Sequence, residues 1–232
     1  MKPDMLLLPG FMLDATLWDE MRDGLTQLGH LHFGDLGQDD AIEKMARRVL
    51  ETAPDRFVLI GFSMGGYVAQ AIALQAPHRV IALALLNTSA RQYSSDEIAR
   101  NRAQVELAKR MPFKGLTTRA LASSIHPERA NDRSLLDHLQ AMALRNGKDV
   151  FIRQLSALRS DGYGDLHNIA CPTLIVASRH DQLRTIDEAE QMAHRIPSST
   201  LVVMEDSGHM TPLERPTELL QILSDWIDQL RL

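Results

Sequence analysis

Ser63, Asp181 and His209 have the residue types of a hydroxyl nucleophile, an orienting acid and a general base, and occur in that order along the chain. A serine hydroxyl is a weak nucleophile until a neighbouring base takes its proton. The base works best when a carboxylate fixes its tautomer. Ser63 lies in Arg56-Phe-Val-Leu-Ile-Gly-Phe-Ser-Met-Gly-Gly-Tyr-Val-Ala-Gln70. The short apolar run 57–60 reads as a buried parallel strand and 67–75 as a helix, with a sharp turn at Ser63 between them. Gly61 and Gly65 flank the serine at minus two and plus two, where the chain passes too close to itself to admit side chains. This is the Gly-x-Ser-x-Gly nucleophile elbow. The turn lifts the hydroxyl off the sheet toward a helix N-terminus, whose free N–H groups and dipole favour a developing oxyanion. The five-residue pattern alone is weak and could mark a plain Gly/Ser turn. Its setting between strand and helix is what makes it specific.

An elbow of this kind demands an acid and then a histidine further along. Thr173-Leu-Ile-Val-Ala177 reads as a second buried strand, with Asp181 just past it. Leu201-Val-Val-Met204 reads as a third, followed by Glu205-Asp-Ser-Gly-His209. Functional side chains in open parallel sheets sit just beyond the carboxyl ends of strands, and all three candidates do. The 28 residues from Asp181 to His209 leave room for one helix, one turn and one strand, which places the pair on neighbouring strands. Taken singly, an Asp after a strand is a helix cap or turn former, and a loop His is a solvated surface group. Asp206, Asp161 and Asp165 are rival acids. Asp206 is only three residues from His209 and suits a loop cap, while the other two lie in a Gly-rich stretch.

The oxyanion would need two donors. One is the backbone N–H of Met64, directly after the nucleophile. The other belongs on the loop after an early strand, and Met5-Leu-Leu-Leu-Pro-Gly-Phe-Met12 supplies it at Phe11, with Met12 the less favoured choice. The elements needed to hold these groups alternate. Strands read near 5–8, 31–35, 56–61, 80–86, 173–177 and 200–204. Helices read near 15–28, 40–53, 65–76, 186–196 and 215–230, the pattern of a doubly wound sheet. The segment 91–165 breaks this alternation. It reads as helices over 95–110, 116–123, 131–145 and 148–160, with no strand, and is expected to cap the catalytic face.

Six stretches carry a wider resemblance: Leu-Pro9-Gly10-Phe-Met-Leu-Asp14…Leu-Trp18, Gly-Phe-Ser63-Met-Gly-Gly66, Leu-Leu-Asn-Thr-Ser-Ala90, Cys-Pro-Thr173-Leu-Ile-Val, Asp181, and Ser-Gly-His209-Met-Thr-Pro-Leu-Glu214-Arg-Pro216. Through them, over nearly its whole length, the chain resembles the α/β-hydrolase superfamily in its small, single-domain, esterase-like branch. The resemblance implies an α/β fold with a mostly parallel, doubly wound sheet and a helical cap. It also implies a Ser63–His209–Asp181 triad with Phe11 and Met64 as oxyanion donors. Two departures stand out. Pro9-Gly10 replaces the usual His-Gly at the oxyanion turn. The first strand also begins near Met5, so the sheet should be trimmed at its N-terminal edge.

A chain of 232 residues fits one such domain, 1–232, with 91–165 inserted in it. The net charge of −5, with no basic stripe in view, argues against nucleic acid as a partner. No apolar run has membrane-spanning length, and the short apolar N-terminus is used by the first strand, so no membrane partner and a cytoplasmic location are expected. The single Cys171 rules out an internal disulfide and reads as a packed thiol before a buried strand. His30-x-His32, His126, His138 and His167 lack metal-ligand spacing, and no cofactor is expected.

The expected reaction is hydrolysis of a small carboxylic ester through an acyl-enzyme on Ser63. The same groups would also serve a lactonase, a thioesterase, a C–C hydrolase or a cofactor-free perhydrolase. A slow-turnover ligand receptor is the alternative outside catalysis. Phe11, Met12, Met64 and Met210 adjoin the candidate positions, which suggests an apolar pocket for short to medium acyl groups unless they pack inward as core. Arg91, just past the strand at 80–86, could fork onto a substrate carboxylate, or anchor the cap through Asp96 or Glu97.

Overall fold

Six apolar segments form the strands β1 (Asp4–Leu8), β2 (His30–Phe33), β3 (Phe57–Phe62), β4 (Val80–Leu86), β5 (Thr173–Ser178) and β6 (Ser199–Met204) in a computed structural model that describes residues 2–230. They make one sheet in the order β2-β1-β3-β4-β5-β6, and every pairing is parallel. β3 and β5 are buried at every position, because helices cover both faces, and they read as continuous apolar runs. The edge strands β2 and β6 are only partly buried. The helices are α1 (Arg22–Leu28), α2 (Ile42–Thr52), α3 (Met64–Gln75), α4 (Ser95–Arg110), α5 (Thr118–Ala122), α6 (Arg133–Ser156), α7 (Ile186–Arg195), α8 (Thr211–Glu214) and α9 (Pro216–Gln229). Among the described residues, no helix is long and apolar enough to cross a membrane.

Alternate strand residues point to two cores. Leu6, Leu8, Leu59, Leu83 and Ile175 join residues of α2, α3 and α7 on one face. Met5, Leu7, Val58, Ile60 and Val176 meet Trp18, Leu25, Leu223 and Trp226 on the other. Each such side chain contributes about 1.5–3 kcal/mol by leaving water, so the period-two pattern fixes which way every strand faces. Chain order reverses between β1 and β3. Connections leave this point in opposite directions, which opens a crevice above the strands' carboxyl ends.

Some expected boundaries move. The helix expected over 15–28 begins as a 3₁₀ turn, Ala15–Met21, capped by Asp14, and turns α-helical only at Arg22. The expected 215–230 helix gains a separate turn, α8, because extended φ at Arg215 and Pro216 at the next position interrupt the ladder. The two helices expected on either side of Gly147 run as one kinked element, α6, with Gly147 at φ 79°. Between β4 and β5 the described residues contain no strand.

Candidate active site

β3 delivers Ser63 at its carboxyl end with φ 51° and ψ −113°, a backbone conformation that costs about 1–3 kcal/mol and persists only where surroundings enforce it. Here they do. The Ser63 N–H donates to Leu86 O at 2.9 Å, and the Thr88 hydroxyl and Gly66 N–H both donate to Ser63 O. A Cβ on Gly61 would stand 2.6 Å from Gly65 O. One on Gly65 would stand 2.5 Å from the carbonyl oxygens of Leu8 and Pro9. The plus-two glycine is therefore required by the neighbouring turn after β1 rather than by the elbow itself.

His209 Nε2 lies 2.9 Å from Ser63 Oγ, and His209 Nδ1 lies 2.7 Å from Asp181 Oδ2. Both the His209 and Asp181 side chains are buried, and Phe62 tilts against the imidazole at 5.2 Å. Asp181 also accepts from the N–H groups of Leu183 and Arg184 through Oδ1, and from Asn87 Nδ2 through Oδ2. Burial alone would raise its pKa. The His209 charge, the imidazole hydrogen bond and these donors outweigh burial and hold the carboxyl below its usual range. An ionised carboxylate only accepts, so the proton sits on Nδ1 and the Nε2 lone pair faces Ser63. The rival acids lie elsewhere. Asp206 faces Arg215, and Asp161 accepts from the Tyr163 N–H.

Among the described residues, neither the Phe11 N–H nor the Met64 N–H donates to a protein acceptor. The Met12 N–H does, to Gln154 Oε1 at 2.8 Å, which leaves Phe11 as the open donor of the β1 turn. The Met12 side chain is fully buried and does not reach the pocket, contrary to the sequence expectation. Its positive φ and the Gln154 bond turn it inward. Met64 likewise packs into the core. Phe11 and Met210 do line the pocket beside Ser63, a cavity of about 220 Å³ walled by Phe62, Leu121, Leu139 and Phe151. Among the described residues, no charged side chain lines it.

Arg91 also lies outside the pocket. Its guanidinium is taken up by Glu97, with both contacts at 2.8 Å, and by Glu188 of α7. Glu97 in turn closes the capping box of α4 on Ser94. Of the two partners expected if Arg91 anchors the cap, Glu97 is the one used. The Arg91 hydrogen bonds hold Glu97 at about 2, below its ordinary 4.5. A depressed carboxylate stabilises the fold above its ordinary value and loses that contribution as pH falls through the folded one. Arg91→Ala is therefore expected to cost about 1 kcal/mol at pH 7 for this part-buried pair, with the deficit shrinking between pH 4.5 and about 2. Urea unfolding across that range checks this, and kcat/KM for neutral and carboxylate-bearing esters should change equally.

Four residues of the site went unread in the sequence. Asn87, at φ 45°, donates to Ser178 Oγ and Asp181 and accepts from Thr211 Oγ1 at 2.9 Å, which links the acid loop to the histidine loop. Thr88 holds Ser63 O. Glu214, buried, accepts from the N–H groups of Met210 and His126 and so ties the histidine loop to the segment after α5. Gln154 bridges Met12 N–H and Leu36 O. Asn87 and Thr88 lie just past β4, a strand end where the sequence reading weighs only Arg91 for chemistry. Among the described residues, no three His, Cys, Asp or Glu side chains converge on a possible metal site.

Residues 5–222 match a model described as the alpha/beta hydrolase family. A pimeloyl-[acyl-carrier protein] methyl ester esterase of Nitrosomonas europaea is 25% identical over 237 residues, covering 94% of this chain and 93% of the relative. A monoacylglycerol lipase of Bos taurus is 26% identical over 256 residues, covering 97% and 75%. A malate-bound structure of a thermophilic esterase from Thermogutta terrifontis superposes with a TM-score of 0.87 at 26% identity, covering 100% of this chain and 92% of that one. With residues 5–222 matched by the family model and nearly its full length by these relatives, the chain belongs to the alpha/beta hydrolase family of enzymes.

Proposed function

We propose that this enzyme hydrolyses a carboxylic ester with a neutral, apolar acyl group through an acyl-enzyme on Ser63. The Ser63–His209–Asp181 chain of hydrogen bonds at the floor of an uncharged, apolar pocket carries the reading. The named relatives support it, since both act on esters.

His209 Nε2 takes the Ser63 proton as Oγ attacks the ester carbonyl. Asp181 holds Nδ1–H and stabilises the imidazolium, and the Phe11 and Met64 N–H groups hold the oxyanion. The tetrahedral intermediate collapses, and the imidazolium gives its proton to the departing alcohol. Water, deprotonated by His209, then releases the acid. The helical segment from α4 to α6 serves as the cap that keeps bulk water from this exchange.

A fluorophosphonate should label Ser63 alone, read by intact mass and peptide mapping. A label elsewhere, or none while esterase activity persists, overturns the assignment. The acyl wall gives a second test. Phe151 lines the cavity, so Phe151→Ala enlarges it and should shift preference toward longer acyl p-nitrophenyl esters by about tenfold in relative kcat/KM, about 1.4 kcal/mol. Met12→Ala should leave selectivity unchanged.

A further inference from the structure

The turn that carries the Phe11 N–H does not hold its shape unaided. Residues 10–13 close through the Leu13 N–H on Gly10 O at 3.3 Å, and Met12 takes the third position of the turn at φ 56°. A turn with positive φ there is normally built on Gly or Asn, because a larger side chain in the left-handed region crowds its own backbone. Freed, Met12 would relax to negative φ by rotation of the Phe11–Met12 peptide, which directly adjoins the peptide bearing the Phe11 N–H. The elbow braces only the first half of this loop, where Gly65 packs against the carbonyls of Leu8 and Pro9.

The second half is braced from α6. The Met12 N–H donates to Gln154 Oε1 at 2.8 Å, and Gln154 Nε2 donates to Leu36 O at 3.2 Å. Gln154 is buried. One of its neighbours can only donate and the other can only accept, so the amide satisfies both in a single orientation. Rotation of the Phe11–Met12 peptide would carry the Met12 N–H off Oε1 and leave a buried acceptor without its donor. Phe151 lies three residues before Gln154, on the same side of α6. It lines the pocket, and its ring tilts against Phe11 at 5.8 Å. Arg153 Nε donates to Gly37 O at 2.6 Å. The end of α6 is thus fastened at once to the pocket, to the turn after β1 and to the loop after β2.

We propose that Gln154 is a positioning residue for catalysis. It locks the β1 turn in the strained form that turns the Phe11 N–H, and not the Met12 N–H, on the oxyanion. This rests on the ester-hydrolase reading above and makes α6 a working part of the site as well as its cover. Gln154 does not line the pocket, so it contributes nothing to ground-state binding of the ester. Its effect belongs in the step where negative charge develops on the carbonyl oxygen.

Gln154→Leu keeps the bulk and removes both polar atoms. It should lower kcat on p-nitrophenyl butyrate by about 10–100-fold with KM within about threefold. An alkyl trifluoromethyl ketone, whose adduct on Ser63 bears the oxyanion, should weaken by the same factor as kcat/KM. Gln154→Glu is the conservative variant. Burial raises the pKa of a carboxyl group at this position. Protonated, it offers the same acceptor and donor as the amide; ionised, it sets a second acceptor against Leu36 O. The ratio of its kcat to that of the wild type should therefore approach one at low pH and fall toward that of Gln154→Leu as pH rises. The His209 titration, common to both, cancels in that ratio. Hydrogen exchange at the Met12 amide should quicken in Gln154→Leu, which reads the lock without turnover. If the wild type neither hydrolyses esters nor takes up the ketone, while the Met12 amide is released as expected, the ester-hydrolase reading fails and the lock on the turn stands. A folded Gln154→Leu with kcat within about twofold of wild type, or a loss confined to KM, overturns the proposal. So does a Gln154→Glu kcat ratio far below one at every pH, a result that decides the matter even where Gln154→Leu fails to fold.

Discussion

Ser63→Ala is expected to lower kcat on an activated ester by about 10⁴-fold or more, and His209→Ala by a similar factor. The size follows from the geometry. In the proposed reaction Oγ forms the covalent bond, and Nε2, 2.9 Å away, is the only base in hydrogen-bond reach of it among the described residues. Removing either leaves the pocket and the two backbone donors, which still bind the ester and still favour the oxyanion, but nothing makes a nucleophile at neutral pH. Because the two side chains act as one unit, the double variant should be barely worse than either single one. Neither change should unfold the protein. Ser63→Ala keeps the elbow's Cβ, and Ser63 O keeps its bonds from Thr88 and Gly66. Near-wild-type turnover by purified Ser63→Ala, with active contaminant excluded by fluorophosphonate titration, would remove Ser63 from the mechanism.

How much of this was legible in the sequence depends on range. The inner strands β1, β3, β4 and β5 are short apolar runs, readable because burial on both faces forces that composition, whereas the edge strands β2 and β6 are only partly buried. The elbow, acid and histidine were readable because each follows such a run directly. Met12 was misplaced, and Arg91 was left between a substrate contact and a cap anchor, for one reason. Position past a strand end fixes where a residue leaves the sheet and leaves open what its side chain meets there. Arg91 met Glu97 and Glu188, which are 6 and 97 residues away in sequence. Met12 was turned inward by Gln154, 142 residues away. The pocket wall was illegible for a similar reason, since Leu121, Leu139 and Phe151 come from helices whose packing over the sheet no local period encodes. Asn87 was within reach. It stands in the quoted Leu-Leu-Asn-Thr-Ser-Ala90 stretch directly past a strand end, and Asn is a residue type that readily takes the positive φ it has there.

Asp181→Asn should cost about 10³–10⁴ in kcat, with KM far less affected. The loss comes through the imidazole tautomer. In the wild type, Oδ2 accepts from both His209 Nδ1 and Asn87 Nδ2, while Oδ1 accepts from two backbone N–H groups. An amide at 181 has one oxygen and one NH₂. Its oxygen belongs with the backbone donors of Leu183 and Arg184, so its NH₂ must face His209 and the Asn87 amide. His209 Nδ1 then becomes an acceptor, and its proton moves to Nε2, where it points at Ser63 Oγ and leaves no base. The carboxylate also bears on stability with a defined sign. Its folded pKa lies below the ordinary 3.8, so its contribution is present above that value and is lost as pH falls through the lower one. Asp181→Asn should therefore be less stable than the wild type at pH 7, with the gap closing below about pH 3.8. Urea midpoints over pH 2–7 and steady-state kinetics on one activated ester measure the two effects on the same preparations. If Asp181→Asn turns over normally while Asp206→Asn or Asp161→Asn is dead, the orienting acid is not the one the hydrogen bonds select.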